Sequence, residues 1–255
     1  MDLKRAVFLI GALLGSAVAG AQQVPPSMPA PLPQYLPQRQ TLNYAVDWRV
    51  FPAGTASFHI ESDGNTQRIL ANGDSIGAVS LLFKVSDRFQ SSFDRKTGCS
   101  LSFAKQLQEG RRQIVSTLQF QYGSHKQVLD EKNLVKGTSR HQEAPIPGCV
   151  SDLMSAIFVG GAQPLQVGKN FEMPIADSMR VLSVTFKSEA REAIRTPAGT
   201  FQTIRVEPTA DAGVVKNRGN IWIWYSDDNR HLPVQMRARL FWGTITMRLT
   251  SVDQK

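Results

Sequence analysis

Cysteine and histidine are scarce, with two and four in 255 residues. Two cysteines exclude a disulfide-dense mini-scaffold, and no Cys/His array has zinc-finger spacing. His59, His125, His141 and His231 are dispersed, and none has a second His or Cys at a ligand spacing. No metal site is therefore expected. G-x-S-x-G, a phosphate loop and H-E-x-x-H are all missing, so no hydrolase elbow, nucleotide cradle or zinc-protease helix is written here. No cofactor is implied. Only one apolar run is long enough to consider for a membrane, Ala6 to Ala17, and it falls short of the roughly 20 residues a spanning helix needs. Disorder of the whole chain is excluded by a composition of 42% apolar and 20% charged residues.

What is present begins with an address. Lys4 and Arg5 precede the apolar run, and Ala19-Gly20-Ala21 supplies an A-x-A cleavage site. Residues 1–21 read as a secretory signal peptide, with Gln22 as the mature N-terminus. No cysteine lies near that site, so lipidation there is not expected. The mature chain is expected to be exported, periplasmic or secreted, and soluble, with no transmembrane segment. Its net charge, +8 overall and +7 without Asp2, Lys4 and Arg5, favours an anionic surface such as lipid head groups or acidic glycans. Nucleic acid is not an expected partner, because no helix-turn-helix or basic helix is visible.

Residues 22–39 carry six prolines and read as an extended tether. From Gln40 the texture changes to short alternating segments. Tyr44, Val46, Trp48 and Val50 oppose Asn43, Asp47 and Arg49. Ile114, Leu118, Phe120 and Tyr122 oppose Gln113, Thr117, Gln119 and Gln121. The same period recurs at Leu182–Phe186, Val234–Leu240 and Ile245–Leu249. Period two repeated this often means antiparallel strands with one buried face. Turn signals fall at Pro52-Ala53-Gly54-Thr55, Asp63-Gly64-Asn65, Tyr122-Gly123-Ser124, Pro197-Ala198-Gly199-Thr200 and Trp242-Gly243. One segment breaks the rhythm: Val150 to Phe158 has helical spacing, with Gly160-Gly161 after it. Gly77 to Phe83 is a second, weaker helical turn. The expected fold is a single mostly β domain over 40–253. It is one strongly curved antiparallel sheet or incomplete barrel of roughly eleven to thirteen strands, with one short helix packed on its concave face.

Cys99 and Cys149 form an even pair in an oxidising compartment and are expected to be bridged. Trp222 and Trp224 alternate with Ile221 and Ile223, so their strand is apolar on both faces. Such a strand lies under the helix or beside a ligand cavity. Trp222, Trp224 and Phe158 are the candidate ligand-binding residues. No catalytic residue is assigned. Asp227-Asp228 falls where the chain must turn, which is the ordinary place for such acids.

The residues resemble a bacterial envelope family known as domain of unknown function 3108. The likeness rests on Leu42-Asn43-Tyr44-Ala45-Val46 with Pro52-Ala53-Gly54-Thr55, on Val85-Ser86-Asp87-Arg88, and on Ser151-Asp152-Leu153-Met154-Ser155-Ala156. It continues through Thr196-Pro197-Ala198-Gly199-Thr200-Phe201, Ile223-Trp224-Tyr225-Ser226-Asp227-Asp228 and Leu232-Pro233-Val234. The resemblance implies an exported β-rich protein with no established activity; the cysteine pair and the proline tether depart from the family pattern. The closing strands are also similar to those of periplasmic lipoprotein carriers, whose half-open barrels hold acyl chains against a helix, a likeness of fold alone. The leading expectation is a non-enzymatic binding or carrier protein for an apolar or amphiphilic envelope component. The alternatives are an envelope glycan-acting enzyme, with Asp87, Asp152 and Asp227 gathered by folding, and a structural envelope adaptor held by its proline-rich arm.

Overall fold

The alternating segments form fourteen antiparallel strands in one sheet. The structure, a computed structural model, describes residues 32, 36–210, 220–240 and 243–254. The expected signal peptide and most of the proline tether lie outside the described residues. The first run of strands is β1 (Arg39–Trp48), β2 (Phe51–Asp63), β3 (Thr66–Ser75), β4 (Ser86–Asp94), β5 (Ser100–Glu109), β6 (Arg112–Gln121), β7 (Lys126–Asn133) and β8 (Thr138–Pro145). The second is β9 (Asn170–Asp177), β10 (Arg180–Thr196), β11 (Gly199–Thr209), β12 (Asn220–Ser226), β13 (Pro233–Leu240) and β14 (Gly243–Gln254). A short helix α1 (Gly77–Leu82) joins β3 to β4, and α2 (Leu153–Gly161) lies between the two runs.

Each run is a meander, and the two are joined by pairing β1 with β14, so β8 and β9 are the free edges. Fourteen strands exceed the expected eleven to thirteen. The strand hardest to see is β8, TSRHQEAP, an exposed edge with no apolar alternation; such polarity suits an edge that must not pair with another chain. The sheet is curled. Helix α2 touches β3, β4, β9 and β13, which stand far apart in the sheet order.

The alternation holds in the inward direction. Leu42 and Tyr44 of β1, Phe58 and Ile60 of β2, Val184 and Phe186 of β10, Ile223 and Tyr225 of β12 and Leu249 of β14 form one buried cluster with Ala156, Phe158 and Val159 of α2. Leu36, ahead of the expected start of the domain, is buried in the same cluster. Val50 is the exception among the alternating residues, because it sits in the β1–β2 turn and is exposed.

Antiparallel pairing puts the turns at two ends. One end gathers the β1–β2 turn, α1 and the β5–β6, β7–β8 and β9–β10 turns; the other gathers the β2–β3, β4–β5, β6–β7, β10–β11 and β12–β13 connections. Helix α2 lies across the second end, which it closes. Its N-cap Asp152 meets Ser100 at the start of β5, and its last residue Gly161 accepts a hydrogen bond from His231 Nδ1 (2.6 Å) in the β12–β13 turn. Gly160 and Gly161, which in the sequence read as a helix stop, belong to the last helical turn. A Cβ at Gly161 would come within 2.8 Å of the Tyr225 ring and one at Gly160 within 3.1 Å of Phe186, so glycine here lets the helix sit close on the sheet.

The segment leading into α2 bridges the start of β5 and the edge strand β9. Val150 O accepts from Ser100 N (2.8 Å), Ser151 N donates to Pro174 O (2.9 Å), and Ala176 N donates to Ser151 O (2.8 Å). A second cluster fills the space behind it, with Phe103, Leu118, Phe120 and Leu129 packed against Ile146, Val150 and Ala176. The disulfide Cys99–Cys149 ties this segment to β5, with Cα atoms 5.0 Å apart. Replacing both cysteines by serine should lower stability by about 2–4 kcal/mol through the freed 50-residue loop. Urea titration would read this as a lower midpoint, with the circular dichroism of the native β-sheet retained.

Candidate functional site

Because α2 fills only the closed end, the inward face of β1, β2, β3 and β14 continues past it. There it forms a cleft of about 480 Å³ at the open end. Cross-strand register builds the cleft. Val46 pairs with Gly54 on one side and Met247 on the other, and Trp48 pairs with Ile245; Ala56 pairs with Gly73. Large side chains on β1 and β14 therefore stand beside a shelf of small residues on β2 and β3. Val79 and Phe83, one helical turn apart, close the cleft from α1, and Val85 adds a further apolar wall. The polar lining is limited to Thr55, Asp74, Ser75 and Glu109.

Two glycines in the shelf serve different ends. Pro52-Ala53-Gly54-Thr55, expected to be a turn, lies inside β2, and the actual turn is at Arg49 (φ 57°) and Val50. Gly54 does not need a positive φ: a Cβ there would meet Asp74 O at 2.5 Å, so the requirement is close approach of β3. Its sequence twin, Pro197-Ala198-Gly199-Thr200, is a true turn, with Gly199 at φ 132°. A Cβ on Gly73 would meet nothing within 4 Å, so this glycine keeps the cleft open.

The backbone hydrogen bonds that tie the loop carrying α1 to the sheet lie at its base. Ser75 N donates to Val85 O (3.0 Å), Ile76 N to Ala53 O (3.0 Å), and Gly110 N to Lys84 O (2.7 Å). The helix itself has no buried residue. Few buried contacts over a short, base-tied loop are the mark of a segment that opens at low cost.

The candidate residues read from the sequence do not meet. Phe158 is core, edge-on to Phe58 with ring centroids 5.6 Å apart. Ile223 and Tyr225 face α2, and the Tyr225 hydroxyl donates to Ile157 O (2.7 Å). Trp222 and Trp224 therefore point to the outer face of the sheet, neither under the helix nor into the cleft. They line an open groove of about 410 Å³ with Glu189, Arg205, Glu207 and Arg237. Its groups engage one another. Arg237 stacks 5.4 Å above the Trp224 ring, Trp224 Nε1 donates to Glu192 (3.0 Å), and Arg205 pairs with Glu189 (2.7 Å) and with Glu192. The outer indole is buried beneath arginine and glutamate stems, as long charged side chains allow.

The three carboxylates of the enzyme alternative are likewise apart. Asp87 stands at the open-end start of β4 and accepts Gln108 N (3.0 Å), with burial holding its carboxyl above the usual range. Asp227 pairs with Arg191 (2.7 Å) in the β12–β13 turn at the other end. Asp152 is the N-cap of α2. It accepts Ser91 Oγ (2.7 Å), Ser100 Oγ (2.6 Å), Met154 N (2.8 Å) and Ser155 N (3.0 Å), while complete burial pushes its pKa up against those donors. That arrangement is helix capping. Among the described residues, no group of three His, Cys, Asp or Glu side chains could hold a metal ion. None of the described helices is long and apolar enough to cross a membrane.

The model of a family described as a protein of unknown function, DUF3108, matches residues 43–250. The chain belongs to this family. For this DUF3108 protein, the most informative solved likeness is a β-barrel-like protein of domain DUF1849 from Brucella abortus. The two share 9% identity and a TM-score of 0.55, over 86% of this chain and 98% of that one. A candidate exported protein from Bacteroides fragilis NCTC 9343 gives 8% identity and a TM-score of 0.36, over 84% and 95% of the two chains. A candidate lipoprotein from Parabacteroides distasonis ATCC 8503 gives 11% and 0.34, over 86% and 98%. Only the first supports an argument, and that argument concerns the fold. No curated protein matches the sequence.

The two shelf glycines of the DUF3108 chain should respond oppositely to the same added methyl. Gly54→Ala should cost about 1–3 kcal/mol by forcing β2 from β3. Gly73→Ala should be neutral or stabilising by up to about 1 kcal/mol. Paired urea midpoints would check both.

Proposed function

We propose that this chain is a non-enzymatic, exported binding protein for an apolar or amphiphilic component of the cell envelope, held in the open-end cleft. The observation that carries this reading is the cleft itself. Its volume of about 480 Å³ falls within the roughly 300–1,000 Å³ of ordinary ligand pockets. Its walls are Val46, Trp48, Ala56, Ile245, Met247, Val79, Phe83 and Val85, with polar groups few. A hydrocarbon chain entering it would gain about 0.8 kcal/mol per buried methylene before ordering costs. The leader read at residues 1–21 supports delivery to the periplasm or beyond. The separation of Asp87, Asp152 and Asp227 argues against the glycan-acting alternative.

The outer groove at Trp222 and Trp224 suits such a ligand less well, because charged side chains flank it and are already paired. The two sites can be told apart with a brominated fatty acid, whose bromine quenches a nearby indole. Binding should quench Trp48, and Trp48→Phe should remove most of that signal. Gly73→Leu should weaken binding at least about tenfold, a loss of about 1.4 kcal/mol, by occupying the cleft. Trp222→Ala should leave affinity unchanged. Weakening by Trp222→Ala and indifference to Gly73→Leu would move the site to the outer face.

A further inference from the structure

The most exposed apolar side chains are not scattered over this molecule. Among the described residues, the large apolar residues that are more than half exposed are Leu81 (90%), Leu82 (87%), Val50 (82%), Phe51 (62%), Val135 (60%) and Phe83 (53%). All sit on three tips at the open end: the β1–β2 turn, the α1 loop and the β7–β8 turn. Val79 of α1 and Phe83, which follows it, line the cleft. Leu81 and Leu82 leave the helix on another side, toward solvent. A helix with one apolar face on a cleft and a second in water lacks something to cover it.

The charge around these tips indicates what that is. Each tip carries an exposed cation beside its apolar residues: Arg49 before Val50, Lys84 after Phe83, Lys136 after Val135. Arg111 and Arg112 are exposed on the β5–β6 turn, whose Gly110 lies against Phe83. The single carboxylate on these four segments, Glu109, is paired with Arg112 (2.7 Å). Among the described residues, Lys84, Lys136 and Arg111 stand in no ion pair with a carboxylate. Separate loop tips, each with a protruding apolar end and a basic collar, fit the interface of an anionic bilayer: the apolar ends enter between the acyl chains and the cations meet the head groups. A protein partner would call for a patch poor in lysine, whereas here a cation stands beside each apolar end.

We propose that the open end docks on an anionic lipid surface through Val50-Phe51, Leu81-Leu82 and Val135. Taken together with the cleft reading, this turns the mouth of the cleft toward the bilayer, so that a chain passes between them without crossing water.

Flotation of the leader-free protein with vesicles tests it. Phosphatidylglycerol-containing vesicles should carry the protein, and pure phosphatidylcholine should carry at least about tenfold less, with added salt reducing the difference. A Val50→Glu/Phe51→Glu/Leu81→Glu/Leu82→Glu variant should lose vesicle association at least about tenfold while keeping its thermal unfolding and its binding of the brominated fatty acid. Lys84→Glu/Arg111→Glu/Lys136→Glu should lose the preference for anionic vesicles. Gly73→Leu should still float, so loss of fatty-acid binding there does not bear on docking. Equal flotation of the folded tip variant and the unaltered protein would overturn the proposal. So would equal binding to both lipids, or self-association through these tips in sedimentation without vesicle binding.

Discussion

A curled sheet must cover its inner face, and here the cover is smaller than the face. Helix α2 has nine residues, about 13 Å of length and about 10 Å of thickness. The strands around it commonly have ten, about 33 Å of height. Lying across one end, such a helix fills roughly a third of that height. The rest of the inner face must be filled by its own side chains or stay open. Toward β5 and β6 it is filled by Phe103, Leu118 and Phe120. Between β14 and β3 the side chains shrink to Gly54, Ala56 and Gly73, and the space stays open.

Keeping so short a helix in place takes an anchor at each end. The N-terminal one is polar and fully buried. Asp152 gathers two serine hydroxyls from β4 and β5, and Ser155 Oγ accepts its backbone N–H (2.9 Å) in return. A buried carboxylate with this many donors is costly to disturb, because each partner would be left unsatisfied. The C-terminal anchor is contact: Gly160 and Gly161 against Phe186 and Tyr225. With Cys99–Cys149 beside the first anchor, the closed end is the more heavily tied end. The α1 end depends on a few backbone bonds at the base of its loop.

Much of the fold was legible because period-two alternation is a direct image of a half-buried strand. Tyr44, Val46 and Trp48 alternate with polar residues and share one face. The helix after Ser151 was legible from spacing, and the disulfide from an isolated even pair. The strand β12 shows where periodicity stops. With Ile221, Trp222, Ile223, Trp224 and Tyr225 in sequence, both faces are apolar, and nothing local says which one meets α2. Tertiary contact decides it: Tyr225 reaches Ile157, and the indoles turn out beneath Arg205 and Arg237. The cleft was hidden for another reason. Gly54 and Gly73 acquire meaning only in register, when β2 and β3 are paired and Val46 stands beside them. One signal was available, the charge-free run Gly77-Ala78-Val79-Ser80-Leu81-Leu82-Phe83. It marks a segment too apolar for an ordinary exposed loop.

The pairing of β1 with β14 brings Gln40 opposite Gln254, so the strand made first waits for the strand made last. The eight strands β1–β8 can zip locally as hairpins, and so can β9–β14, since every other pair in the sheet is between neighbours in sequence. Joining the halves closes a loop of nearly the whole domain, a contact of the slowest kind. A chain delivered N-terminus first therefore presents the outer edge of β1 unpaired until β14 arrives. During that interval the half-built sheet has an adhesive border, open to pairing with another chain.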